Sequence, residues 1–210
     1  MVNNRKSLSD KNSKLARVKR PMIDLFAGCG GLSLGFEKAG FTTVFVNELN
    51  DDARQTYLNN RTHLIGGKPF NSLDYLASSD VADLDTKRLE KLEIDLKKLS
   101  TDIEFGKHGN IDVLAGGPPC QGFSGIGHRR SYSVDKAQLP SNKLYERMAF
   151  VIEKVQPRIF LFENVRGLLS SKWTSSGEKG EIWDDVHKRF CKIGKDFGYI
   201  IRWDIVFASN

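Results

Sequence analysis

A doubly wound α/β fold built on a mostly parallel sheet is predicted by three features of the sequence. Short aliphatic runs recur, of the kind that form strands buried on both faces. They alternate with segments of helical periodicity, the pattern of β-α-β units. Three of the runs end in loops that carry glycine, cysteine or glutamate, and ligands bind beyond the carboxyl ends of strands in such sheets.

Taken in order, Met22-Ile23-Asp24-Leu25-Phe26-Ala27 reads as a strand and Gly28-Cys29-Gly30-Gly31 as a tight turn. Leu32, Phe36 and Ala39 then fall at i, i+4 and i+7, one face of a helix that stops at Gly40. Thr42–Asn47 forms a second strand with Glu48 at its tip. Asn50 caps the next helix, and Asp51 and Asp52 in its first turn suit the macrodipole. Residues 66–110 are less regular, but Leu89, Leu92, Leu96 and Leu99 mark an amphipathic helix packed on the sheet or covering an insertion. Ile111–Ala115 is a buried strand that Gly116-Gly117-Pro118-Pro119 ends abruptly. A helix over Leu144–Val155 ends at Pro157, and a strand over Ile159–Phe162 has Glu163 at its end. A polar loop over Lys172–Gly180, a helix over Glu181–Ile193 and a strand over Ile200–Ala208 complete the reading.

Cys120 falls in the loop just past the Ile111–Ala115 strand, behind two rigid prolines and ahead of Gln121 and a glycine-rich stretch. Free cysteines are usually buried as small hydrophobes. A core position rarely borders such a loop, so Cys120 reads as a positioned nucleophile.

At 210 residues the chain is long enough for one substantial core. No apolar run reaches the length of a membrane span, and the first twenty residues are too polar for a secretory leader. Cys29, Cys120 and Cys191 lack metal-ligand spacing and are odd in number, which argues against a zinc site and a disulfide framework; a cytoplasmic protein is expected. The net charge of +6 belongs to the first twenty residues, which hold seven basic residues and one acid; the rest of the chain is neutral. Residues 1–20 therefore read as a disordered basic arm and 21–210 as the folded body. The arm could touch phosphates, yet charge alone does not establish a nucleic-acid partner.

The glycine turn exposes backbone N–H groups to a ligand, and Glu48, about 20 residues on, is placed to accept from ribose hydroxyls. This fits any adenosine cofactor. A nicotinamide dehydrogenase ranks low, because its fingerprint wants Gly or Ala where this chain has Ser33.

Three motifs in register narrow the reading: Asp24-Leu25-Phe26-Ala27-Gly28-Cys29-Gly30-Gly31-Leu32, Gly117-Pro118-Pro119-Cys120-Gln121-Gly122-Phe123-Ser124 and Glu163-Asn164-Val165. Together they closely resemble the DNA (cytosine-5) methyltransferase family, in particular the bacterial restriction-modification enzymes, over about Met22 to Asn210. The resemblance implies a Rossmann-like methyltransferase fold and S-adenosyl-L-methionine as cofactor, with double-stranded DNA as partner. It implies that Phe26, Gly28, Gly30, Leu32, Leu144 and Pro119 line the cofactor site, that Glu48 holds the ribose and that Leu49 lies beside the adenine. Asp83 and Leu84 match the family's adenine-contacting pair, with Asp74 as a rival. Cys120 and Glu163 would be catalytic, the Pro119 carbonyl would help read the 4-amino group, and Gln121, Ser124 and Arg129 would contact DNA. The family continues with a Tyr-Gly-Val-Pro-Gln-like stretch, an arginine motif, a target-recognition domain and a closing helix. None occurs here, so the expectation is a truncated catalytic domain or one subunit of a split enzyme, completed by a C-terminal fragment or second subunit. An RNA cytosine methyltransferase and an inactive cofactor-binding module are the rival readings.

Overall fold

The computed structural model describes residues 18–100, 103–107, 109–119, 143–174 and 176–207. In chain order the strands are β1 (Pro21–Leu25), β2 (Thr42–Asn47), β3 (Leu64–Ile65), β4 (Lys68–Pro69), β5 (Ala77–Ser78), β6 (Val113–Gly116) and β7 (Ile159–Phe162). The helices are α1 (Gly31–Lys38), α2 (Asp51–Asn59), α3 (Thr86–Leu99), α4 (Leu144–Val155) and α5 (Glu181–Phe197). Five strands form one parallel sheet in the order β5-β2-β1-β6-β7, and β3 and β4 make a separate antiparallel pair. The fold class is the predicted one.

β1 lies at the centre, and all five of its residues are buried. Ile23 registers with Phe45 and Leu114, so residues paired across neighbouring strands share a face of the sheet. On one face Met22, Val113 and Ala115 pack against Leu32 and Phe36 of α1. On the other, Leu114 joins the core completed by Met148, Val151 and Ile152 of α4. Phe160 and Phe162 of β7 meet Phe190 of α5, with ring centroids 5.5 and 5.0 Å apart. Arg189 fastens α5 to α4 through Glu146 and Glu153, each at 2.7 Å. The face of β7 on the α1 side is bare, with Ile159 62% and Leu161 39% exposed.

The leucine stripe of α3 is buried as the periodicity predicts. Asn50 caps α2 by accepting from the Ala53 N–H at 2.9 Å. Two predictions fail. The helix over Glu181–Ile193 runs one turn further, to Phe197, because Gly194 is a packing residue: a Cβ there would lie 2.8 Å from the Tyr199 oxygen. The glycine that ends the helix is Gly198, at φ 84°. No strand forms over Ile200–Ala208 within the described residues. Ile200 and Val206 stand 85% and 89% exposed, and the Ile205 N–H turns to the Asp204 carboxylate at 2.7 Å. β propensity needs a neighbouring ladder to pair with, and the segment has none there. The folded body begins before residue 21: Val18 is buried and its N–H meets Ser100 Oγ at 3.3 Å.

Candidate active site

Parallel strands bring all their carboxyl ends to one edge, and most of the predicted site residues that the structure describes lie along it. Beyond β1 the chain turns sharply through Phe26, at φ 55°, Gly28, at φ 55°, and Gly30, at φ 89°. A phenylalanine in the left-handed region costs about 1–3 kcal/mol and persists only where its surroundings enforce it. Here the Ala27 N–H donates to Asn47 O at 3.0 Å and the Gly30 N–H to Ala27 O at 2.9 Å. Gly30 has no room for a side chain, since a Cβ would lie 2.6 Å from the Tyr57 ring. At Gly28 and Gly31 the space is open, so a ligand can approach the backbone.

Glu48, just past β2, is bound into this turn. Its Oε2 accepts from the Gly28 N–H at 2.7 Å and its Oε1 from the Asn50 N–H at 2.7 Å. Each oxygen keeps a further lone pair for a hydroxyl group. Arg54 holds the Glu48 carbonyl at 2.8 Å. Leu49 stands 68% exposed beside it. Leu32, partly buried, packs on the sheet, and Leu144 opens α4 half-buried.

Leu84, of the pair Asp83 and Leu84, needs correction. Asp83 closes a 3-10 turn over Val81–Asp83 that Arg147 of α4 fastens through the Ala82 carbonyl at 3.0 Å, and Leu84 is fully buried in the core. A side chain with no exposed surface touches no ligand. The acid at the mouth of β5 is Asp80, two residues after the strand, with its carboxylate on the Ala82 N–H at 2.8 Å. Asp74 lies before β5, in another 3-10 turn. β5 is only two residues long and shows no alternation, so it gave no signal from which to count.

A second cluster forms where β6 and β7 end side by side. The Glu163 N–H bonds Gly116 O at 3.0 Å. Its exposed carboxylate lies over Gly117, where a Cβ would sit 2.8 Å from Oε2. Asn164 Nδ2 donates to Pro118 O at 3.1 Å. Gly117-Pro118-Pro119 is thus held between the sheet and Glu163-Asn164, immediately ahead of Cys120. Cys120, Gln121, Ser124 and Arg129 lie outside the described residues. Asn164 had no assigned role from sequence; its place directly after Glu163 was the available signal.

Among the described residues no group of three or more His, Cys, Asp or Glu side chains could hold a metal, and no helix is long and apolar enough to cross a membrane.

The chain is similar to known DNA methyltransferases. The type II methyltransferase M.AgeI of Thalassovita gelatinovora is 38% identical over 148 residues, which make up 70% of this chain and 28% of that protein. M.HindV of Haemophilus influenzae is 32% identical over 187 residues, 89% of this chain and 47% of the relative. A prophage-encoded E. coli protein, described as a DNA modification methyltransferase, superposes over 83% of this chain and 38% of its own, with 27% identity and a TM-score of 0.54. The chain spans less than half the length of each of these proteins. A family model for C-5 cytosine-specific DNA methylase matches residues 21–210, and the chain belongs to that family.

Proposed function

We propose that this chain carries the cofactor site and catalytic pair of an enzyme that methylates cytosine C5 in DNA, with S-adenosyl-L-methionine as donor. The observation that carries the reading is the joint mouth of β6 and β7, where Glu163 and Asn164 lie against Gly117 and Pro118, the backbone just ahead of Cys120 in sequence. The open backbone at Gly28 and Gly31, with Glu48 oriented beside it, fits an adenosyl group. That cofactor supplies a methyl group on positively charged sulfur.

The residues meet the chemical need in turn. Cytosine C5 is a poor nucleophile. Addition of the Cys120 thiolate at C6 raises electron density at C5, splitting one difficult step into easier ones. Glu163 hydrogen-bonds or protonates N3 and so draws charge into the ring as C5 becomes nucleophilic. Once C5 has been alkylated and has lost its proton, the bond to C6 breaks and Cys120 leaves as thiolate. The reacting face is hidden in a duplex, so the base must be flipped out, at a cost of a few kcal/mol. Reading base edges needs side chains in a groove, a task we assign to a further segment or subunit supplying target recognition.

Trapping tests the proposal. The protein, supplied with its target-recognition part and cofactor, should form a denaturation-resistant adduct with duplex DNA containing 5-fluorocytosine. Fluorine does not leave C5 as a proton does, so elimination stalls with Cys120 attached. Cys120→Ala should abolish the adduct. Trapping that survives this substitution would overturn the nucleophile, and trapping on transfer RNA but not on DNA would overturn the substrate.

A further inference from the structure

Beneath the glycine turn, on the face covered by α1 and α2, lies a buried polar cluster that the chemistry above does not use. Arg61, two residues past α2, is only 5% exposed. Its Nη2 donates to Gly30 O at 2.9 Å and lies 3.3 Å from Ser33 Oγ, and its Nε pairs with the Glu37 carboxylate at 2.8 Å. The guanidinium sits 4.6 Å from the centre of the Tyr57 ring, the ring that fills the space under Gly30. Ser33 Oγ also donates to Gly30 O, at 3.2 Å. With the Leu34 N–H at 3.0 Å, three donors therefore converge on this one carbonyl, two of them side chains.

Asp24 enters the same cluster from β1. It is 1% exposed, and neither carboxylate oxygen has a hydrogen-bond partner among the described residues. Ser33 and Glu37 face it from α1, Glu48 from the end of β2, and Tyr57 and Arg61 from α2 and the residues after it. A buried polar group without a partner is costly, and this one lies beside the two side-chain donors that hold Gly30.

We propose that Arg61, Ser33 and Asp24 form a positioning network for the cofactor turn, in which ionised Asp24 competes with the Gly30 carbonyl for the Arg61 and Ser33 donors. Protonated, Asp24 leaves both donors on Gly30 and the turn is tight. Ionised, it draws them inward and the turn loosens. Burial pushes its carboxyl up to about 7, against the opposing influence of Ser33 and Arg61, so the change falls at neutral pH. The inference rests on reading the turn as an adenosyl site.

Calorimetric titration of the full chain with S-adenosylhomocysteine between about pH 5.5 and 8.5 tests it. Wild-type affinity should fall several-fold as pH rises through neutrality, whereas Asp24→Asn should bind with little pH dependence. Arg61→Met should weaken binding about tenfold, the scale of one charge-assisted hydrogen bond, with partial recovery in Arg61→Lys. In the active assembly the loss should appear as a raised KM for the cofactor, with kcat at saturating cofactor unchanged. A wild-type pH profile in Asp24→Asn, or wild-type affinity in Arg61→Met, would overturn the network alone. Failure of the wild type to bind at any pH would overturn the cofactor reading, and the network with it. Should Arg61→Met fold poorly in thermal melts, the Asp24→Asn profile decides.

Discussion

Replacing Asp24 with Asn should change how the stability of the fold responds to pH. In the fold, burial pushes the carboxyl up from its ordinary value of 3.8 to about 7. Between those values the folded state keeps a proton that the unfolded chain has released. The sign follows: the contribution is fully present below the unfolded value and is lost as pH rises through the folded one. At about 1.4 kcal/mol per pH unit, the whole window amounts to roughly 4 kcal/mol. About 3 kcal/mol of this falls between about pH 5 and the titration point, at the same conversion. Asn does not ionise, so its own burial cost is constant. Urea unfolding of both proteins across about pH 5 to 8.5 supplies the assay. The stability of wild type minus that of Asp24→Asn should drop by about 3 kcal/mol over the range, while other titrating groups affect both proteins alike and cancel. A difference that stays flat would show that Asp24 ionises like an exposed carboxylate, and the burial reasoning would be refuted.

Glu48→Ala removes the acceptor of two main-chain amides as well as the proposed ribose contact, so affinity for S-adenosylhomocysteine should fall at least about tenfold. Calorimetry reads this directly, and an unchanged Kd would remove Glu48 from the site. Asn164→Ala frees the Pro118 carbonyl. In the active assembly it should cut kcat by roughly tenfold to a hundredfold through misplacement of the nucleophile, while cofactor affinity stays constant. A loss confined to cofactor affinity would contradict this role.

What the sequence made legible was what local chemistry determines. The strands at Thr42–Asn47 and Ile159–Phe162 and the helix at Leu144–Val155 were bounded to the residue, because caps, glycines and Pro157 punctuate them. The same pattern placed Glu48 and Glu163 at strand ends. Long-range partners were not legible. Arg61 lies about thirty positions from Gly30, and nothing local to α2 announces that its guanidinium holds that carbonyl. The sequence does not single out Asp80 at the mouth of β5, because β5 is defined by its pairing with Val46 and Asn47 and not by its own two residues. The apolar residues of 200–208 look like a strand by composition, yet a strand is a relation between two segments.

The wiring of Glu48 carries an entropic consequence. A free glutamate side chain samples many rotamers, and fixing it forfeits about 1.5–2 kcal/mol of rotational freedom. With the Gly28 and Asn50 amides on its two oxygens and Arg54 on its carbonyl, that freedom is surrendered when the chain folds. A ligand arriving at this edge meets a carboxylate already aimed. Capture then needs no rotamer search, and more of the enthalpy of each new hydrogen bond survives as affinity.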